Sequence, residues 1–504
     1  MLVTRSRNSR TSLATLASLA AAFAFALLTP LASALSATGQ RVLVILPSKS
    51  QQSTYSSFLS DLSNRGFQLT YREEKAGGSD VALTAFDERQ YDHLVFFPSS
   101  ASSTPSADLT PQALVSFVRQ GGNVLFGYGS DRPDWLQDLA REFSLELAGS
   151  GQKLVDHFQY STAKGDHSSV LLGGGEGGSG GLAANNVIFS AETLQASSSQ
   201  PLLVGSASPH RLGPNPLAFP LVGPSTTSYT ATKDEGEVGF LGTDEDAAIA
   251  SAFQSKENTR VTFIGSAELF SDSSLSAKDL KSSSGKSYSS TLNAAFLQDV
   301  TSWTFQEHGV LKVEKRSHYR ARKGATDIRE TYEEPAEGGS AIMYRISDTV
   351  TYSLDISQHT PRGWEPAPAD LDLQVSLSMI DPFITSWLAP ELPSSPASSP
   401  SSFDLSPPVS NSTTRYSTSF QLPDRLGVYT FSTFWSRPGW SFIKTRDVAP
   451  IRAFNHDENP RFLPASWPYA LGSFSTIASF LLFVALWILA GEKNGAGVKK
   501  EKTL

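Results

Sequence analysis

Arg41-Val-Leu-Val-Ile-Leu46, followed by Tyr55, Phe58, Leu59 and Leu62 and then by Gly66, decides the fold. The first stretch is short and continuously apolar, as strands buried on both faces of a parallel sheet are. The four residues after it recur at i, i+3, i+4 and i+7, one face of a helix, and Gly66 stands just past that helix's end, where a left-handed residue closes the last turn. The alternation continues. Phe67 to Tyr71 and His93 to Phe97 read as strands, and Thr110-Pro111 as an N-cap with proline at the first helical position. Leu114, Phe117 and Val118 form the buried stripe of that helix, which Gly121-Gly122 ends. Asn123 to Tyr128 returns as a strand, and Pro133 opens a helix with Leu136, Leu139, Ala140 and Phe143 on one face. Repeated β-α-β units imply a parallel sheet with helices on both faces.

Residues 151–270 read as short strands and loops, with strands at Val170 to Leu172, Val187 to Phe189, Pro201 to Gly205, Val238 to Leu241 and Arg260 to Ile264. A helix from Leu292 to Phe305 completes this α/β unit. From about residue 310 to 450 the period changes to two. Val350, Tyr352, Leu354 and Ile356 alternate with Thr351, Ser353 and Asp355, and Leu371, Leu373, Val375 and Leu377 alternate with polar neighbours. That pattern suits an antiparallel sandwich. Residues 391–414 are rich in Ser and Pro and lack the apolar surface to order themselves. They hold the N-x-S/T sequon Asn411-Ser412-Thr413, a glycosylation acceptor if the segment reaches a secretory lumen.

Arg5, Arg7 and Arg10, an apolar run over residues 13–28 and Ala32-Ser33-Ala34 read as a secretory signal peptide over residues 1–37. A second membrane helix is the alternative, disfavoured by the Ala-rich run and Pro30. Tyr469 to Ala490 carries no charge and spans roughly 30 Å as a helix, the thickness of a bilayer core, so residues 468–490 read as a transmembrane helix. Lysines follow it, which places the tail, residues 491–504, in the cytosol and the bulk of the chain in the lumen. Lys500 and Lys502 sit fifth and third from the end, the K-x-K-x-x spacing of a retrieval signal read by a receptor.

A formal charge of −8 leaves no basic stripe for phosphates, so nucleic acid is not an expected partner. With 0 cysteines in 504 residues, thiol catalysis, Cys-ligated zinc and disulfide framing are excluded. The loops at the carboxyl edge of the expected sheet are where α/β folds bind ligands. Of these, Gly129-Ser130-Asp131-Arg132 is polar enough to hold a small ligand or to cap the helix after Pro133. Gly173, Gly175 and Gly178 match G-x-G-x-x-G in spacing but lack a helix behind them, so they read as a loop. Asp156-His157 and Asp166-His167 suggest a metal or a proton relay, with hydrogen-bonding roles as the plainer reading. Asp244-Glu245-Asp246 lies in a loop. Asp370-Leu371-Asp372 falls on an expected strand, with both carboxylates toward solvent. Such D-x-D strings hold a divalent ion in some glycosyltransferases, yet they also arise by chance among 49 acidic residues. No nucleophile, base and orienting group assemble, so neither a catalytic residue nor a cofactor is expected.

Nine segments in order, among them Asn64-Arg-Gly-Phe-Gln-Leu-Thr70, Leu154-Val-Asp-His-Phe-Gln-Tyr160, Phe263-Ile-Gly-Ser-Ala-Glu-Leu-Phe-Ser-Asp272, Met379-Ile-Asp-Pro-Phe383 and Arg461-Phe-Leu-Pro-Ala-Ser-Trp-Pro-Tyr469, resemble the 48-kDa subunit family of oligosaccharyltransferase, including its fungal members. The resemblance implies a lumenal α/β domain over residues 38–308, flavodoxin- or amidotransferase-like, a β-sandwich over 309–455 and a type I membrane protein of the endoplasmic reticulum. It also implies an accessory role beside a multispanning catalytic subunit, a ribophorin II-type subunit and a small DAD-type subunit. Gly472, Ser473, Ser475, Ala478 and Ser479 would let the membrane helix pack closely against others.

Overall fold

The computed structural model describes residues 36–74, 82–86, 88–99, 106–163, 167–175, 180–232, 238–241, 244–320, 331–332, 343–391, 412–459 and 464–494. The expected signal peptide up to residue 35, Asn411, Lys500 and Lys502 lie outside them.

Strand β1 (Arg41–Leu46) is followed by helix α1 (Ser56–Asn64) and β2 (Gln68–Glu73), then β3 (His93–Phe96), α2 (Pro111–Arg119), β4 (Asn123–Gly127) and α3 (Trp135–Glu142). Further along come β5 (Gly181–Leu182), β6 (Ala218–Gly223), β7 (Ala250–Gln254), β8 (Arg260–Ile264) and α4 (Asn293–Thr304). The eight strands form one sheet in the order β5-β6-β7-β8-β4-β3-β1-β2. The pleat of β1 explains the continuous apolar run: Val42, Val44 and Leu46 enter one core with α1 and α4, while Leu43 and Ile45 enter another with α2 and α3. The local signals act as expected. Gly66 has φ +100°, and the Thr110 hydroxyl accepts from the Ala113 N–H at 3.3 Å ahead of Pro111.

The parallel expectation holds for β2, β1, β3, β4 and β8 only. Strands β5 to β7 are antiparallel, so the sheet is mixed. The reason is connection length: β7 and β8 are joined by residues 255–259, enough for a hairpin and too few for a crossover. Val187 to Phe189 is a turn and not a strand. The Asn185 carboxamide oxygen accepts from the Val187 and Ile188 N–H groups at 3.0 and 3.2 Å, and this Asx turn turns Ile188 and Phe189 into the core.

Two further sheets enclose a third core. One contains β9 (Val310–Arg320), β11 (Thr349–Thr360), β14 (Ala389–Glu391) and β15 (Thr414–Gln421). The other, in the order β10-β17-β16-β12-β13, contains β10 (Tyr344–Arg345), β12 (Gln374–Ser378), β13 (Pro382–Trp387), β16 (Gly427–Trp435) and β17 (Ile443–Arg452). Val350, Tyr352, Leu354 and Ile356 face Leu377, Phe431 and Ile451 between them. Pairing is antiparallel except for β10 with β17. The polar alternates of β11 are buried as well, because β11 is flanked on both sides. Asp355 binds Arg415 at 2.7 and 2.8 Å, and Ser353 meets the Ser317 hydroxyl at 2.6 Å. Asp370 and Asp372 precede β12 instead of lying on it, and Asp372 takes φ +50°.

Helix α5 (Trp467–Asn494) closes the described chain, and the stretch Pro464–Ala490 is long and apolar enough to cross a membrane. Its hydroxyls turn back on its own backbone. Ser473 donates to the Tyr469 carbonyl at 3.0 Å and Ser479 to the Ser475 carbonyl at 2.7 Å, so the small residues offer a face without unmet donors.

Candidate functional site

Because β1, β3, β4 and β8 run in parallel, the loops leaving them gather at one edge. Pro47, Phe97, Pro98, Ser99, Gly129, Ser130, Asp131, Ala267 and Glu268 line a cleft of about 630 Å³ there, with Lys153 and Ser206 on its wall. Aromatic rings support the site. Tyr55 stacks on Phe97 at 4.5 Å, and Phe97 meets Phe270 edge-on at 5.1 Å. This packing requires Gly127, since a Cβ there would lie 2.7 Å from the Phe97 ring and 2.9 Å from the Phe270 ring. Gly205 likewise leaves room for Glu268, whose carboxylate would lie 2.2 Å from an added Cβ. The Ser206 hydroxyl donates to that carboxylate at 2.8 Å. Burial, helped by the Glu268 charge, raises the Tyr55 phenol and keeps it protonated. The cleft therefore offers hydroxyls, a cation and carboxylates over a rigid ring stack, an arrangement suited to holding a polar ligand.

The Gly129–Arg132 loop does not cap the helix that follows. That helix starts at Trp135, and Asp134 makes no side-chain cap. Instead the loop is pinned from the side, with Ser130 N–H donating to the Ser206 carbonyl at 3.3 Å and Gly151 N–H to the Ser130 carbonyl at 2.9 Å. Arg132 turns inward, donating to the Gln137 carboxamide at 3.1 Å and to the Ala148 carbonyl; burial lowers its pKa.

The remaining candidates are occupied separately. Buried Asp156 accepts from the Phe158 and Gln159 N–H groups at 2.8 and 3.0 Å and from the Thr227 hydroxyl at 2.8 Å, a loop-tying role. His157 meets the Tyr229 hydroxyl at 2.8 Å and stands 4.5 Å, ring to ring, from His167; Asp166 lies outside the described residues. Asp244 pairs with Arg211 at 2.6 Å and Asp372 with Arg437 at 2.7 Å, so each D-x-D string holds an arginine. Among the described residues no three acidic or histidine side chains stand together in a way that could hold a metal ion. Gly173, which ends a strand, and Gly174 and Gly175 all take positive φ, and among the described residues no helix follows them directly; Gly178 lies outside the described residues.

Sequence reasoning missed the polar chain behind the cleft. Tyr128, just past β4, shares a hydrogen bond with His210 at 2.8 Å, and His210 with the Ser251 hydroxyl at 2.7 Å. Only a lone histidine in a strand-like setting could have signalled it. Burial pushes His210 down to about 3, and His93, against the Gly39 carbonyl at 3.0 Å, down to about 4. Both are neutral in the folded chain, and unfolding lets them take up protons near their ordinary value of about 6.5. Their contribution is complete above that value and is lost as pH falls toward the folded values. At pH 5 the loss is about 2 kcal/mol for each, while Glu307, whose carboxyl burial raises, acts in the opposite direction. Thermal unfolding at pH 7.5 and 5.0 is expected to show a lower midpoint at the acid value, and His210→Gln is expected to shrink the difference.

Among the described residues, an α/β body, a two-sheet β unit and one C-terminal helix fit for a bilayer define a folded protein with a single apolar span. Comparison with known proteins narrows the class. The OST48 N-terminal domain family matches residues 33–307 and the OST48 middle domain family residues 329–491, and the chain belongs to the OST48 family. It is 32% identical over 86% of its length, and 89% of the relative's, to the dolichyl-diphosphooligosaccharide–protein glycosyltransferase subunit wbp1 of Schizosaccharomyces pombe. The 48 kDa subunits of the same glycosyltransferase from Caenorhabditis elegans and Arabidopsis thaliana are 28% and 27% identical, over 91% and 90% of this chain and 93% of each relative.

Proposed function

We propose that this chain is a non-catalytic accessory subunit of an oligosaccharyltransferase complex, which moves a preassembled glycan from dolichyl diphosphate to Asn of N-x-S/T sequons in nascent proteins. The observation that carries the reading is similarity over nearly the whole length to subunits of that glycosyltransferase. The local chemistry supports it: Asp156, Asp244 and Asp372 are tied to backbone, hydroxyl or arginine partners and do not converge on one reacting centre. In this account residues 38–308 and 309–455 are lumenal domains, 468–490 span the endoplasmic reticulum membrane, Asn411 carries a glycan, and Lys500 and Lys502 return the protein to that compartment. Gly472, Ser473, Ser475, Ala478 and Ser479 pack against helices of other subunits. Purification of the tagged full chain in mild detergent tests the assignment. A multispanning catalytic subunit, a ribophorin II-type subunit and a DAD-type subunit are expected at constant ratio, and recovery of this chain alone would refute it.

The cleft favours a second reading, that the chain also recognises the lipid-linked glycan or the acceptor polypeptide. A 630 Å³ recess at the carboxyl edge, flanked by Ser130, Asp131, Lys153 and Glu268, has the size and polarity for such a task. In the same purified complex, a photoreactive lipid-linked oligosaccharide is then expected to label the 127–132 loop, and labelling of the catalytic subunit alone would count against it.

A further inference from the structure

The β12–β13 hairpin and the start of β16 form an apolar tip. Ile380 is 90% exposed, Leu426 68% and Val428 61%, and Met379 and Phe383 are exposed beside them. The residues are contiguous. A Cβ on Gly427 would come 2.7 Å from the Met379 sulfur, the Phe383 ring meets Tyr429 at 5.9 Å, and the Arg425 guanidinium lies 5.8 Å from the Phe383 ring centroid. None of the described residues covers them, and a patch of this kind on a folded protein marks a contact surface.

Its position in the topology identifies the occupant. Gly427 pairs with Ile451, so the tip lies at the end of the sheet from which the chain departs after Arg452. The departing segment is clamped there. Glu458 accepts from Arg452 at 2.6 and 2.9 Å and from Arg345 at 3.3 Å. From Glu458 the chain has only as far as Pro464 to reach the start of the apolar helix, at most about 20 Å even when fully extended. Trp467 and Tyr469 then open that helix, in the place where amphipathic rings sit at a bilayer's headgroup level. The apolar tip is therefore held within reach of the membrane surface by its own anchor.

We propose that Met379, Ile380, Phe383, Leu426 and Val428 dip into the boundary between headgroups and acyl chains, a second and shallow membrane contact that fixes the sandwich's tilt on the bilayer. Arg425 and Asp424 stand at the neck, at the level of the headgroups. The proposal rests on α5 spanning the membrane. Insertion of such side chains reaches about 5–10 Å below the surface.

The chain contains 0 cysteines, so single labelling sites can be introduced without background. Ile380→Cys, Leu426→Cys, Leu482→Cys within α5 and Ser436→Cys at the far end of β16 are each labelled with an environment-sensitive fluorophore, in the full chain reconstituted in phosphatidylcholine vesicles. Acyl-brominated lipid is expected to quench the labels at 380, 426 and 482 at least twofold and to leave 436 unchanged, with iodide in the water showing the reverse order. Quenching at 482 with 380 and 426 behaving like 436 would overturn the tip and leave the anchor standing; no quenching at any of the four would overturn both. If labels 380 and 426 escape lipid quenching and become shielded from iodide only in the whole complex, the tip is a subunit interface and the proposal falls.

Discussion

Trp303→Ala is expected to lower the midpoint of thermal unfolding of the full chain by roughly 5–9 °C. The indole is fully buried, and truncating such a ring costs about 3–5 kcal/mol through lost burial and the cavity left behind. More than packing goes with it. The indole N–H donates to the Gly439 carbonyl at 2.8 Å, joining α4 to the turn between β16 and β17. Its ring also lies 4.7 Å from the guanidinium of Arg260, which is buried and has no carboxylate partner among the described residues. Arg260 gives its protons to the carbonyls of Trp303, His308 and Gly309, where β9 begins, and burial pulls its pKa down to about 9. Removing the ring loosens a buried cation held by these carbonyls and by the Asn258 carboxamide oxygen at 3.3 Å, so the α/β body and the two-sheet unit lose a shared fastening. Trp303→Phe, which keeps most of the volume and drops the N–H, is expected to cost about 1–2 kcal/mol. Equal midpoints for the alanine variant and the unaltered chain would show that this junction holds little.

The double change Ala478→Arg with Leu482→Arg is expected to release the chain from membranes under alkaline carbonate extraction. Both positions lie on one face of α5, one turn apart and exposed. Each arginine at mid-helix costs roughly 2.5–3.5 kcal/mol on insertion scales, and the pair roughly 5–7 kcal/mol, enough to offset the gain from the surrounding apolar side chains. Ala478→Leu with Leu482→Ile is expected to stay in the membrane pellet. A doubly charged variant that pellets like the unaltered chain would mean that this helix is not what holds the protein.

What was legible in the sequence divides along physical lines. Local patterns were readable: the apolar run of β1, the Thr110-Pro111 start of α2, Gly66 after α1 and the two-residue period of Val350 to Ile356 each reflect forces acting within a few residues. Interactions between distant residues were not. Val187 to Phe189 had strand composition, yet the Asn185 side chain two residues earlier supplied a competing turn. Leu371 and Leu373 kept strand alternation without strand pairing, because Asp372 took a left-handed conformation and bound Arg437. The antiparallel edge of the sheet depended on hairpin lengths, which apolar content does not encode. In the cleft, the 129–132 loop was legible as part of the sheet's carboxyl edge, where α/β folds bind ligands, though its pinning from the side by Ser206 was not. Lys153, Ser206 and Glu268 were missed, since they come from segments far away in the sequence. The Tyr128–His210–Ser251 chain and the Arg260–Trp303 fastening were invisible for the same reason.

The accessory role is tested most directly by glycan transfer to a sequon peptide, measured per mole of assembled catalytic subunit in membranes whose supply of this chain is graded with Trp303→Ala. The account predicts fewer complexes, each turning over at the normal rate. A normal number of complexes with turnover lost would place part of the chemistry in this chain and contradict it.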